Sequence, residues 1–423
     1  MKSGKWKVES GKWDNCGEAE NKNFQLSTFN FQLLSARTWV EIDRSALLHN
    51  LAAIRTAVGA NTEILAVVKA DAYGHGALEV ARTIADEVAY FGVACLDEAL
   101  PLLPLEREIV ILSPCLPTER AEAVACGVIV TVSSADEARA FAQHIPQNSQ
   151  QETIRITLKI DTGMGRVGCL PEHTETAVRE ILADPRIALH GIATHLSAAD
   201  EDDPFTQKQL AEFARLHSLL SPLAPNAKWH AFNSAGIFLS GKWKMESGKL
   251  DSRAYDATSA EGGKDNFPLS LVRAGLALYG IAEPSVFQNR LRPALTWKAR
   301  VALVRDLPAG HTISYGHTHT LARPTRTAII SLGYADGFPR FASHKAHVLI
   351  GGRRCPVLGR ITMDQIVVDT TDVSGTVRPG DEVVIIGKQG DEEILVTDLA
   401  AAAGTIAWEI FTGIHGRIKR FFH

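Results

Sequence analysis

The sequence has no surplus of positive charge: over 423 residues, 44 Lys and Arg face 48 Asp and Glu, a net charge of -4 at pH 7. Without a basic field it offers no footing to nucleic acid or to an anionic membrane, so small molecules and proteins are the expected partners. Long apolar runs are missing as well. No stretch reaches the roughly 18 consecutive apolar residues of a membrane span, and the Lys-rich N-terminus holds no continuous apolar segment. The six cysteines, at 16, 95, 115, 126, 169 and 355, show no C-x-x-C spacing, which argues against a zinc site or a disulfide framework. Most sit inside apolar runs, as buried thiols of a reducing compartment do. These absences point to a cytoplasmic globular protein without a metal. Its length exceeds one ordinary compact core and implies two domains, one of them large enough for a barrel of roughly 250 residues.

Residues 1 to about 36 are dominated by Gly, Ser, Lys and Asn, lack any period of 2 or 3.6, and read as an irregular extension. Within it, Ser3–Asn15 (SGKWKVESGKWDN) recurs at Ser240–Ser252 (SGKWKMESGKLDS), identical at ten of thirteen positions. Two copies at unrelated places cannot build a solenoid, which needs stacked units at a fixed period. Either the second copy is a duplicated element tolerated in a surface insertion over about 241–264, or the pair forms a device such as an interface arm. Insertion is the cheaper reading, because doubling a loop costs only about 0.6 kcal/mol.

From Thr38 onward, short β-rich runs alternate with amphipathic helical stretches. The runs are 64–69, 90–96, 108–113, 128–132, 154–160, 188–194, 228–232 and 271–278, with helical segments at 77–88, 118–126, 135–143, 173–183 and 206–220. Eight such units predict an α/β fold, a parallel (β/α)8 barrel over 37–280. In that architecture catalytic groups gather at the carboxyl ends of strands, where Lys69, Asp161, His195, Ser234 and Arg273 fall. After Tyr279-Gly280 the alternation stops. Segments 293–304, 326–333, 346–350, 365–370, 382–387 and 393–396, broken by Gly, Pro and Asp turns, predict a mostly β C-terminal domain over 281–423 with one short helix near 397–404. The Arg417-Ile418-Lys419-Arg420 end reads as a solvated basic tail.

The most informative stretch is Ala66-Val-Val-Lys69-Ala-Asp-Ala-Tyr73-Gly-His-Gly76. A lysine capping an apolar strand either snorkels to solvent or is used chemically, since burying an ammonium is costly. This run as a whole resembles the pyridoxal phosphate attachment motif of alanine racemases, fold-type III enzymes in which the motif lysine carries the cofactor covalently. Further matches follow in order: Lys159-Ile-Asp-Thr-Gly-Met-Gly-Arg166, Gly191-Ile-Ala-Thr-His195, Phe232-Asn-Ser234-Ala, Val272-Arg273-Ala-Gly275-Leu276, Ile313-Ser-Tyr315-Gly, Gly333-Tyr334-Ala-Asp-Gly and Arg360-Ile-Thr-Met363-Asp364-Gln. They span about 38–417.

The resemblance implies a role for each position. Arg166 contacts the cofactor's phenolic oxygen and the substrate carboxylate, and Lys159 is carbamylated in many members, giving an anion that orients the arginine. The alternative for Lys159 is an ordinary strand lysine. Tyr73, Ser234 and the amides of Gly275 and Leu276 bind phosphate, and Arg273 faces the pyridine nitrogen, linked through His195 to the catalytic tyrosine, Tyr315. That tyrosine comes from a second subunit, as do Met363, whose amide meets the substrate carboxylate, and Tyr334 and Asp364 at the entrance. A homodimer with shared sites is therefore expected. One position departs from the pattern: where many members have a phosphate-binding tyrosine, this chain has Trp408, whose indole donates one hydrogen bond and accepts none.

The implied reaction is two-base interconversion of L- and D-alanine, supplying D-alanine for peptidoglycan. Arginine cannot take the pyridine nitrogen's proton, which weakens the electron sink, shortens the life of the α-carbanion and favours prompt reprotonation. A tyrosine base working near pH 7 needs about 4 kcal/mol of phenolate stabilisation. One cation about 4 Å away at an effective dielectric of about 20 supplies that much. Two alternatives stand: a decarboxylase on the same barrel, which would present an acid to the pyridine nitrogen, and a non-catalytic cofactor-binding barrel, which would need neither residues 281–420 nor Tyr315. Breadth of substrate side chain, and a biosynthetic against a catabolic role, are open at this level.

Overall fold

The computed structural model describes residues 35–146, 152–201, 203–239, 243–246, 249–252, 269–282 and 285–423. Eight strands run in parallel in chain order: Glu63–Val67, Tyr90–Val93, Glu108–Ile111, Ile129–Val132, Ile154–Lys159, Ile187–Ala193, Lys228–His230 and Leu271–Ala274. All eight expected runs are strands. The last pairs with the first, Leu271 opposite Glu63. It meets its other neighbour through two backbone bonds, Ser270 N–H to Trp229 C=O at 3.1 Å and Arg273 N–H to Phe232 C=O at 3.0 Å, which close the ring. The strands read as apolar runs because both faces are covered: Ile64, Leu65, Ala66, Phe91 and Ile156 are fully buried, as a parallel sheet wrapped in helices requires. Helices Ala77–Ile84, Ala135–Ala142, Thr174–Ala183 and Asp203–Leu220 lie where the apolar period of 3.6 predicts them.

The second sheet has nine strands in the order Glu392–Ile394, Glu382–Gln389, His347–Ile350, Arg353–Leu358, Ile366–Asp369, Thr325–Ile330, Leu295–Leu307, Thr38–Ile42, Lys419–Phe422. Thr38–Ile42, which the alternation places at the start of the barrel region, pairs here: antiparallel to Leu295–Leu307 and parallel to Lys419–Phe422. The first and last strands among the described residues are thus woven into one sheet, and the helix Arg44–Val58, capped by the Asp43 carboxylate on the Ala46 N–H at 3.0 Å, leads back to the barrel. A helix at Ala407–Gly413 precedes the final strand.

The basic end is held in place and is no loose tail, although Arg417 and Lys419 are exposed. Lys419–Phe422 is a strand, Arg417 bonds Asp336 and Asp364 at 2.8 Å each, and the Arg420 side chain is only 13% exposed. The periodicity test missed it because four residues are too few to show alternation, and charge alone was read as exposure. The N-terminal copy of the repeat lies outside the described residues. Of the second copy, the described part is an antiparallel hairpin, Trp243–Glu246 with Lys249–Ser252.

Candidate active site

The first barrel strand delivers Lys69 to the carboxyl end of the ring, and the four residues after it take an unusual path. Ala70, Asp71, Ala72 and Tyr73 have φ of 51, 54, 53 and 52°, a left-handed turn closed by Ala72 N–H to Val68 C=O at 2.8 Å and Gly74 N–H to Ala70 C=O at 2.9 Å. Each non-glycine residue in that basin costs roughly 1–2 kcal/mol, so the turn stores about 4–8 kcal/mol. Strain of this size persists where a site needs the geometry it produces. Here it turns Tyr73 toward the last barrel strand. A Cβ on Gly275 would lie 2.8 Å from the Tyr73 hydroxyl and 3.7 Å from Ser234 Oγ. Glycine therefore keeps open a small cradle walled by two hydroxyls and bare backbone. Ser234 Oγ accepts from the Gly275 and Ala277 N–H groups at 3.1 Å each.

Two cavities meet at Lys69. One, of about 400 Å³, runs to the cradle and is lined by Tyr73, Ser234, Gly275, Leu276 and Trp408. The other, of about 380 Å³, runs to Lys159, Asp161 and Arg166. Lys69, Leu112, His195 and Arg273 line both. Arg166 is carried by a loop wound around the Asp161 carboxylate, which accepts the Gly163 and Gly165 N–H groups at 2.9 and 3.1 Å. Burial opposes ionisation of Asp161, yet those amides hold it below the ordinary carboxylate range. Burial, and then the nearby Arg166, lower the pKa of the Lys69 ammonium, with Glu98 pulling the other way. An amine so placed releases its proton more readily than a surface lysine.

Arg273 is buried and satisfied on every side that counts. One terminal nitrogen bonds His230 Nδ1 at 2.8 Å and the His230 carbonyl at 3.1 Å. The other bonds the Thr194 carbonyl at 2.8 Å, the Ala231 carbonyl at 2.9 Å and His195 Nδ1 at 3.1 Å. Burial lowers its pKa to about 10, so it stays charged at neutral pH. Guanidinium only donates, so both imidazoles must accept at Nδ1 and carry their proton on Nε2. His195 is thereby a neutral ring with an N–H at the cavity edge. Lys159 is half-buried and donates to the Thr194 carbonyl at 3.0 Å. Burial, then Arg273 and Arg166, hold its pKa well below the ordinary lysine value.

Three histidines are neutral in the fold. Burial, with Arg273 second, pushes His195 down to about 2 and His230 well below its usual value, and burial takes His75 to about 4. The unfolded chain, with ordinary histidines near 6.5, binds protons that the folded chain refuses. Stability is therefore lost as pH falls below that value, by about 1.4 kcal/mol per pH unit for each histidine until its folded pKa is reached. The urea midpoint is expected to drop steadily between pH 7 and pH 5; a flat midpoint would mean that these rings are charged in the folded state.

The other expected site residues lie apart from Lys69 within one chain. Tyr315 is 72%, Met363 54% and Tyr334 42% exposed, and none of them lines either Lys69 cavity. Their loops are nonetheless tied by hydrogen bonds. Ser314, at φ 62°, bonds the Arg360 carbonyl at 2.6 Å. The Tyr334 and Met363 loops are zipped by Tyr334 N–H to Thr362 C=O at 3.1 Å and Ala335 N–H to Met363 C=O at 3.0 Å. Asp364 is bound to Arg417 and lines a separate cavity with Asp336. Sequence reasoning missed Glu98, which accepts the Ala70 and Ala94 N–H groups at 2.8 Å each, and His230. A histidine inside the apolar run 228–232 was the available signal for the latter; nothing local marks Glu98. No group of His, Cys, Asp and Glu suited to a metal occurs among the described residues.

Known proteins resemble this chain over nearly its whole length. The family model for the N-terminal domain of alanine racemase matches residues 42–250, and that for the C-terminal domain matches 294–422. An alanine racemase of Methylacidiphilum infernorum is 38% identical over 387 residues, covering 91% of this chain and 92% of its own. One of Symbiobacterium thermophilum is 38% identical over 392 residues, covering 91% and 97%. The crystal structure of alanine racemase from D-cycloserine-producing Streptomyces lavendulae superposes with a TM-score of 0.78 at 34% identity, covering 92% of this chain and 97% of that one. With both of its domains matched in order and relatives this similar over nearly their full length, the chain belongs to the alanine racemase family.

Proposed function

We propose that this chain racemises alanine with pyridoxal phosphate carried on Lys69, using Lys69 and Tyr315 of a second copy of the chain as the two bases. The observation that supports this most directly is the position of Lys69 where two cavities join, one ending in a hydroxyl and amide cradle and the other in Arg166. The residues present suit the cofactor: Tyr73, Ser234 and the Gly275 and Leu276 amides would hold its phosphate where a Cβ on Gly275 would intrude, and Arg273 would face its ring nitrogen. When bound, pyridoxal phosphate takes up the electron pair left at the α-carbon as its proton departs.

The chain's own groups do the rest. Arg166 binds the substrate carboxylate, for which a guanidinium fork is well matched. Arg273, charged and donor-only, could not take a proton from the ring nitrogen it would face and would leave it unprotonated. Lys69, its amine freed as the substrate's amine replaces it, would remove or return the α-proton on one face while the Tyr315 oxygen would do the converse on the other, so no proton is gained or lost overall. The His195 Nε2–H, held outward by Arg273 on Nδ1, supplies the donor that stabilises the phenolate. Met363 would offer its amide to the carboxylate, with Tyr334 and Asp364 at the entrance. Trp408 lines the cradle cavity with a single N–H donor where the resemblance expects tyrosine. Optical activity of L-alanine incubated with the protein should decay to zero; release of carbon dioxide would instead indicate a decarboxylase, and an unchanged signal a carrier.

A shared site requires a homodimer. Its support is that Tyr315, Tyr334 and Met363 are exposed on one chain although each belongs to a matched motif. A second reading concerns Lys159. Desolvation, Arg273 and Arg166 hold the half-buried Lys159 amine well below its ordinary pKa, and as its free base it would attack carbon dioxide: an N–C bond forms as one C=O π bond opens, one proton leaves, and the carbamate anion would pair with Arg166. An intact-protein mass taken in bicarbonate is expected to exceed the sequence mass by one carbon dioxide, and Lys159→Ala to abolish the increment; a wild-type mass without it would reject the carbamate.

A further inference from the structure

The left-handed turn after Lys69 has to be held against relaxing to the right-handed basin, and the holding groups come from both domains. Within the barrel, the Tyr279 hydroxyl donates to the Val67 carbonyl at 2.9 Å, Glu98 accepts the Ala70 N–H at 2.8 Å, and His75 Nδ1 donates to the Tyr73 carbonyl at 2.9 Å. The far end of the turn is met by the C-terminal sheet. Arg420, on the final strand, donates from Nε to the Gly74 carbonyl at 2.7 Å and lies 3.6 Å from the Asp71 carboxylate. Its other two nitrogens are fixed by the Ile418 and Ile414 carbonyls at 2.9 and 3.1 Å. The fork is thus aimed before it reaches the turn. Packing closes the same joint: a Cβ on Gly74 would sit 2.1 Å from the Phe411 carbonyl oxygen, and one on Gly76 would sit 3.1 Å from the Phe422 ring.

We propose that Arg420 is a positioning residue for Lys69, a lock from the C-terminal domain that keeps the strained turn, and with it the Lys69 amine and the Tyr73 hydroxyl, in register with the Ser234 and Gly275 cradle. It lines neither of the cavities that meet at Lys69. The inference rests on the assignment of Lys69 as the cofactor lysine, and its test is built so that the two fail differently. Arg420→Met and Arg420→Lys are made in the full chain. Cofactor affinity is measured by titrating pyridoxal phosphate and following the visible band, kcat and KM are measured for alanine, and amide hydrogen exchange is measured across the protein.

Removing a charge-assisted bond to a buried carbonyl should weaken cofactor binding and accelerate exchange at residues 72–76 by about 10- to 100-fold. Exchange in His347–Ile350, on the far side of the C-terminal sheet, should be unchanged, and kcat should fall more than KM rises. Arg420→Lys, which keeps a charged donor within reach of Gly74 and Asp71, should recover part of each loss. Exchange in Arg420→Met that is unaltered at 72–76, or accelerated equally everywhere, would overturn the lock. If the wild-type protein shows no visible band on titration, the assignment of Lys69 fails, while the exchange measurement still decides for or against Arg420.

Discussion

Lys69→Ala chains are expected to lose racemase activity by about 10⁴-fold or more, the upper range for one positioned acid or base, and to lose the visible absorption band that borohydride bleaches in the wild type. Two functions disappear together, because the same amine carries the cofactor and serves one face of the α-carbon. The fold should survive. Lys69 makes no side-chain hydrogen bond or ion pair that the strained turn depends on: the turn is held through Ala70, Tyr73 and Gly74. Truncating the side chain also removes an ammonium whose burial is unfavourable, so the thermal midpoint should stay level or rise slightly. A variant that kept the bleachable band would place the cofactor on another lysine. Lys159 would then be the first to test, since it lines the adjoining cavity.

The second large effect is a recovery. Lys69→Ala and Tyr315→Ala proteins, each inactive alone, should regain about one quarter of wild-type activity when their subunits are mixed equally and allowed to exchange. Random pairing makes half of the dimers mixed, and in each of these one site combines two intact residues while the other combines two altered ones. Tyr315 is 72% exposed on the single chain, so its replacement should cost little stability, and the inactivity of that variant would reflect chemistry. Absence of recovery, with exchange verified by mass, would mean that Lys69 and Tyr315 of the same chain act together. That arrangement would contradict their separation in the structure.

Much of the barrel was legible because its signal is one-dimensional. A strand buried on both faces must be apolar at nearly every position, and all eight such runs stand where the letters place them. The C-terminal sheet was read less well. Arg353–Leu358 carries two arginines and a proline in six residues, and Lys419–Phe422 opens on two basic residues. Edge or half-exposed strands of this kind are specified by their neighbours, not by their own composition. The assumption that charge means solvent failed at Arg420 for the same reason, while Arg417 is exposed but still tied down. Each has its partners on distant segments: Asp336 and Asp364 for one, Gly74 and Asp71 for the other.

What the letters alone determined is the family, the barrel and several of the groups that meet near Lys69, though not Glu98 or His230, since motifs of four to eleven residues are local and survive without knowledge of the fold. What only the tertiary structure decided is which states those groups occupy. The tautomers of His195 and His230 follow from a donor 78 and 43 residues away in sequence. The left-handed path from Ala70 to Tyr73 is unfavourable to every residue in it, and no local preference predicts it. It exists because Glu98, Tyr279, Phe411 and Arg420 converge there from remote parts of the chain. Strain and protonation are set by three-dimensional surroundings, and those are assembled only when the chain closes on itself.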